Sequence, residues 1–113
     1  MTTIDNDTFT ALRDTTGNEF VCELIDTFLQ EAPGMLADLH DGLAGMDADR
    51  FRRAAHSLKS NGNTFGALAF GALAKDLELA GAAQVKARGP QALAAIDEEY
   101  ARVAAALTAL RHE

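Results

Sequence analysis

The sequence predicts an all-α fold, an antiparallel up-down four-helix bundle preceded by a short extra N-terminal helix, and three observations carry that expectation. The chain is rich in alanine, leucine and glycine, with two prolines, one tyrosine and no tryptophan, so local propensity favours helix. Long segments place apolar residues at three- and four-residue steps, the period of a helix with one face inward. The glycine- and proline-bearing stretches between them are short, as connections between antiparallel neighbours are. At 113 residues the chain suits one domain, residues 1–113, large enough to fold around a core without disulfides or metals.

Residues from about Asp5 to Asp14 carry Phe9 and Leu12 behind an Asp-rich start, which predicts a short amphipathic helix ended by Thr15-Thr16-Gly17. From Asn18 a long second helix is expected, with Val21, Leu24, Ile25, Phe28, Leu29, Ala32, Leu36, Leu39, Leu43 and Met46 in its apolar stripe. Pro33-Gly34 is expected to interrupt it with a kink near Glu31, because proline removes a donor and crowds the preceding turn. Gly45 to Asp49 form the next turn, and Asp47 or Asp49 caps a third helix that runs to about Phe65 before Gly66 turns the chain. A fourth helix follows from about Ala67, with Leu68, Leu73, Leu77, Ala80 and Val85 inward. Arg88-Gly89-Pro90 breaks it, and Pro90 suits the start of a fifth helix with Leu93, Ile96, Tyr100, Val103, Leu107 and Leu110 inward.

The formal net charge of -7 argues against nucleic acid or an anionic membrane as partner, since both require a basic surface. The single cysteine, Cys22, forms no intrachain bridge and lies in an apolar helical run, as a small packed hydrophobe in a reducing compartment would. No leader and no membrane-length apolar run is present, which predicts a soluble, cytoplasmic and, by default, monomeric protein. A di-metal site in the bundle would need inward glutamates with Glu-x-x-His pairs, and the sequence has no such pair. No metal site is therefore expected. Nor is there a glycine-rich phosphate loop, so nothing points to a kinase.

The third helix carries the chemistry. At about 100° per residue, Phe51, Ala54, Ala55, Leu58, Gly62 and Phe65 gather on one side, whereas Arg52, His56, Lys59, Ser60 and Asn63 gather on the other. His56 therefore points at solvent beside local cations, an arrangement suited to an anion. If Gly66 centres a helical hairpin, residues whose numbers sum to about 133 or 134 lie level, which sets Glu78 opposite His56. A carboxylate there would accept the proton of one ring nitrogen and leave the other with a free lone pair, making His56 a positioned nucleophile. Lys59, a turn away, could pair with phosphate oxygens on the ring, and Ser60 would keep that side open. His40 and His112 have no such context and are expected to be solvated, and Arg50 and Arg53 to solubilise the helix.

The run His56-Ser57-Leu58-Lys59, followed by Gly66-Ala67, Leu73-Ala74 and Leu77-Glu78, resembles the histidine-containing phosphotransfer (HPt) domain. Asn63-Thr64-Phe65-Gly66 is also similar to the equivalent stretch of chemotaxis histidine kinases. The resemblance covers nearly the whole chain. It implies a phosphoryl carrier, phosphorylated at His56, that works between aspartates of receiver domains in a two-component phosphorelay fed by a hybrid histidine kinase. It further implies that Lys59 favours the phosphorylated state, that Glu78 bonds the histidine, and that Mg²⁺ comes with the receiver, the carrier itself binding no cofactor. Ser60 stands where the family usually has glycine, a departure that bears on receiver access. Arg52 and Asn63 are candidates for receiver docking, and Asn63 also for contact with the phosphate.

A chain that opens with Met1 and carries no attached receiver or kinase is expected to be a free-standing carrier, not an enzyme with a complete active site. The alternative is a non-phosphorylated docking module that sequesters a receiver or kinase. A purely structural adaptor is a third possibility, and the His56/Lys59 pairing argues against both.

Overall fold

A computed structural model describes residues 2–112; Met1 and Glu113, the two ends of the expected 1–113 domain, lie outside the described residues. Five helices and no strand are present among them: α1 (Asn6–Thr16), α2 (Asn18–Ala44), α3 (Ala48–Phe65), α4 (Leu68–Ala87) and α5 (Ala94–Arg111). Helices α2 and α4 pack on either side of α3, α5 packs against α2 and α4, and α1 lies against α2 and α3. Phe51, Phe70, Ile25, Leu39, Leu58, Ile96 and Leu107 are the largest fully buried side chains. Phe28, Phe65, Phe70 and Tyr100 join four helices in an aromatic cluster with ring centroids 5.5 to 6.2 Å apart.

Two of the helices start at a side-chain cap. Asp5 caps α1, accepting from the Thr8 amide at 3.0 Å, and Asp47 caps α3, accepting from the Arg50 amide at 3.1 Å. Gly66 ends α3 in the left-handed conformation at φ 85°, and the Ala67 amide closes the turn on the Gly62 carbonyl at 2.9 Å. A side chain at Gly66 would also meet the Asp5 carbonyl, which approaches because the Asp5 amide donates to the Gly66 carbonyl at 2.8 Å. This close turn sets the register of α3 against α4, and with it the site.

Four expectations need correction. Helix α2 runs without interruption through Pro33, which is exposed on its outer side, so its ring crowds no packed neighbour. Met46 is not part of the apolar stripe; it turns between α2 and α3 at φ 52° and is exposed. Leu68 is exposed because it precedes buried Phe70 by two positions, about 200° around the helix. The fifth helix begins at Ala94, four residues after Pro90, since Gly89 and Gln91 first make three-residue turns to Ala92 and Ala94.

Two further features were not anticipated. Gly81 breaks α4 at φ 80°, ψ 163°, a region open essentially to glycine alone, and Ala82 and Val85 are buried beyond it. His40 is exposed as expected but not without a partner: its Nε2 lies 2.8 Å from Asp97, joining α2 to α5. Cys22 is half-buried, with Sγ 3.8 Å from the Arg111 carbonyl.

Candidate functional site

The six predicted inward residues of α3, Phe51, Ala54, Ala55, Leu58, Gly62 and Phe65, are all buried. That fixes the rotation of the helix and turns His56 outward, with its side chain 57 % exposed. The ring is nevertheless held. Its Nδ1 lies 2.8 Å from Glu78 Oε2, and the other carboxylate oxygen accepts from Lys59 Nζ at 2.7 Å. One half-buried carboxylate on α4 therefore spans two side chains one turn apart on α3.

Glu78 is held below the ordinary glutamate range, first by the Lys59 hydrogen bond and further by His56, against the opposing effect of partial burial. The carboxylate is thus ionised at neutral pH and accepts only. Nδ1 must then be the donor, and in the neutral ring Nε2 keeps its lone pair. The tautomer follows from the partner, and the free nitrogen belongs to an exposed ring.

The remaining sequence candidates lie along the same face in different relations to the ring. Ser60 is exposed one turn beyond His56, and its carbonyl accepts from Thr64 Oγ1 at 2.9 Å. Arg52, one turn before, folds back on Asp49 with Nη2 2.8 Å from Oδ1. Asn63 lies two turns away, about 10 Å along the axis, and its amide fills the space over Gly71 that a Cβ would take. It is too distant to touch a phosphate on His56, which corrects that half of its expected role. Arg50 ties α3 to α2 through Asp38 at 2.7 Å, and Arg53 pairs with Asp49 at 2.9 Å.

Two features of the site escaped the sequence reading. The spacing from His56 points Lys59 at a phosphate and not at Glu78, although the level arithmetic that pairs Glu78 with His56 reaches Lys59 within a turn. Leu79, next to Glu78, is 75 % exposed, and its outward phase on α4 was the available signal.

An outward histidine held through Nδ1 by a carboxylate of the next helix, with a lysine three residues on, agrees with the match of residues 23–111 to the Hpt domain. The chain belongs to the Hpt domain family. Hpt proteins are phosphoryl carriers that interact with receiver domains and kinases in phosphorelays. The crystal structure of histidine-containing phosphotransfer protein B (HptB) from Pseudomonas aeruginosa PAO1 is similar to this Hpt domain throughout, with a TM-score of 0.87 and 26 % identity over 97 % of this chain and 95 % of that one. No curated protein matches the sequence. Among the described residues of this Hpt domain no helix is long and apolar enough to cross a membrane, and no group of three or more His, Cys, Asp or Glu is placed to hold a metal.

Proposed function

We propose that His56 is the phosphoacceptor of a phosphorelay carrier, exchanging a phosphoryl group with receiver aspartates. The observation that carries this reading is the commitment of Nδ1 to Glu78, which leaves Nε2 of an exposed ring as the free nucleophile. In the forward step the Nε2 lone pair attacks the phosphorus of a receiver phosphoaspartate. The N–P bond forms, the P–O bond to the aspartate breaks, and the carboxylate departs with the bonding pair. No proton has to move, because the phosphorylated ring keeps its Nδ1 proton and becomes a cation facing the Glu78 carboxylate. The reverse step loads the next receiver.

Lys59 stabilises the phosphorylated state in this reading, since its ammonium lies one turn from the ring and can reach phosphoryl oxygens. The receiver supplies Mg²⁺ and the remaining transition-state contacts, so this chain acts as a nucleophile and docking surface in the cytoplasm. Arg52, Ser60 and Asn63 belong to that surface, Ser60 narrowing the approach relative to glycine. The helix contacts support one domain, an antiparallel four-helix bundle of α2 to α5 with α1 laid against it, working as a monomer between a hybrid kinase and separate receivers.

The test is incubation with a phosphorylated receiver and Mg²⁺, followed by mapping of acid-labile, base-stable phosphate. Label on His56, absent from His56→Gln, is expected. Binding without label, unchanged in His56→Gln, would overturn this reading in favour of a module that only sequesters its partner.

A further inference from the structure

Arg88 Nη1, just past the end of α4, lies 2.7 Å from Asp76 Oδ2 within it. In a straight helix two residues so spaced stand about 18 Å apart along the axis, beyond the combined reach of an arginine and an aspartate. The pair forms because Gly81, at φ 80° and ψ 163°, turns the chain out of the α4 axis. The residues beyond Gly81 are tied down again at the end of α2, where Lys86 Nζ donates to the Ala44 carbonyl at 3.1 Å and to the Leu43 carbonyl at 3.4 Å.

Helices that diverge leave a wedge between them. Here the wedge is a cleft of about 580 Å³ between the last turns of α2, the turn around Pro90 and the start of α5. Small-molecule sites span about 300–1,000 Å³, so the cleft is of that class. Leu43, Ala44, Pro90, Leu93 and Ala94 give it apolar walls, and His40 and Asp97, joined at 2.8 Å, stand among them. No lining residue belongs to α3, and His40 lies about 200° around α2 from Asp38, which faces Arg50 of α3. The cleft is therefore separate from the histidine site.

Its charge is carried by Lys86. Most cations of the chain pair with a carboxylate, whereas among the described residues Lys86 meets only backbone carbonyls. Two carbonyls leave one of the three ammonium donors open, and the charge has no counter-ion. The single carboxylate in the lining, Asp97, is turned to His40. Apolar walls beside an uncompensated ammonium complement a molecule that is apolar along its body and negative at one end.

We propose that this cleft binds a small amphipathic anion, its apolar body against Leu43, Pro90, Leu93 and Ala94 and its carboxylate at Lys86 Nζ. A neutral molecule of the same body keeps the wall contacts and lacks the head-group contact. A second anionic group would meet Asp97 and is selected against.

Octanoate is the probe, with octanol as its neutral counterpart of equal chain length. Titration of octanoate into the nitrogen-15-labelled full chain is expected to give saturable amide shifts gathered at Leu43, Ala44, Gly89, Gln91, Leu93 and Ala94, with the amide of His56 unmoved. Lys86→Met is expected to weaken octanoate about fivefold and to leave octanol unchanged, the order of effect of one solvent-facing charge pair. Lys75→Met, which removes an exposed cation outside the cleft, is expected to change neither. Ala94→Phe fills the cleft from the start of α5 and is expected to weaken both ligands about tenfold, with spectral dispersion reporting the fold; if it fails to fold, the comparison of Lys86→Met with Lys75→Met decides. No saturable shift in the native protein, shifts gathered elsewhere, or a loss of octanoate binding that is equal in Lys86→Met and Lys75→Met would overturn the site.

Discussion

Replacing Glu78 by glutamine keeps the side chain's length and one acceptor oxygen but removes the charge shared by His56 and Lys59. When Nε2 carries a phosphoryl group and Nδ1 keeps its proton, the imidazole ring is cationic. What the variant then loses is an attraction between opposite charges about 4 Å apart, worth ~1 kcal/mol in water and ~4 kcal/mol at an effective dielectric constant of 20. His56 is 57 % exposed and Glu78 16 %, so solvent screening draws the pair toward the lower figure. A loss of ~1–2 kcal/mol corresponds to transfer onto His56 slowed about five- to thirtyfold. Lys59, released from Glu78, can move to the phosphoryl oxygens and offset part of this, so the loss is expected to be larger when Lys59→Met is also present. Rapid-quench measurement of label arriving from a phosphorylated receiver checks both values, with circular dichroism reporting the fold. Rates within twofold of native in both backgrounds would refute the argument that this carboxylate stabilises the phosphorylated ring.

Two further predictions concern stability. A Cβ at Gly42 would lie 2.8 Å from the Phe51 nitrogen and 3.1 Å from its Cα, backbone atoms with no rotamer to adopt instead. Overpacking of about 1–3 kcal/mol there outweighs the ~1 kcal/mol that alanine gains over glycine in a helix. Gly42→Ala is therefore expected to lower the urea midpoint, and a raised midpoint would show that α2 and α3 separate without cost. The second prediction follows from the lowered pKa of Glu78, which the Lys59 ammonium holds below its ordinary value of 4.5. A carboxyl depressed in the folded state contributes stability that is present above its unfolded pKa and lost as pH falls through the folded one. The stability difference between native protein and Glu78→Gln is expected to shrink below pH 4.5 in urea titrations, and a difference that grows in acid would contradict the ion-pair geometry.

What the sequence made legible was set by periodicity and by one turn. The amphipathic pattern of α3 is strong enough to fix the rotation of the helix, so His56 faces outward and Leu58 inward. Gly66 fixes the register of the next helix, which is why Glu78 could be set opposite His56 by counting alone. The kink at Gly81 was not legible in the same way. Helix continues on both sides of that residue, and a single glycine in a helical pattern reads as a tolerated cost; only the burial of Ala82 and Val85 shows that the phase is reset there. Helix ends without a capping side chain were equally obscure. Gly17 and Leu93 precede α2 and α5 with no side-chain hydrogen bond, so the start of α5 had only Pro90 to mark it, and Pro90 belongs to the turn instead.

Lys59 shows a different limit. Its spacing from His56 marks it as a phosphate partner, but spacing does not reveal what the ammonium does while the phosphate is absent. In this structure it is half-buried and 2.7 Å from the carboxylate that also holds the ring. In the proposed carrier, binding a phosphoryl oxygen would loosen or exchange this ion pair, and Lys59 would favour the phosphorylated state only by the difference between its two partners. Glu78 is bound by the same relation: any part of its charge neutralised by Lys59 is withheld from the imidazole, and becomes available when the ammonium turns to the phosphate. In the proposed carrier, ring, carboxylate and ammonium would thus form one exchange unit, in which departure of the lysine would strengthen the hold of Glu78 on the cationic ring as that cation is formed.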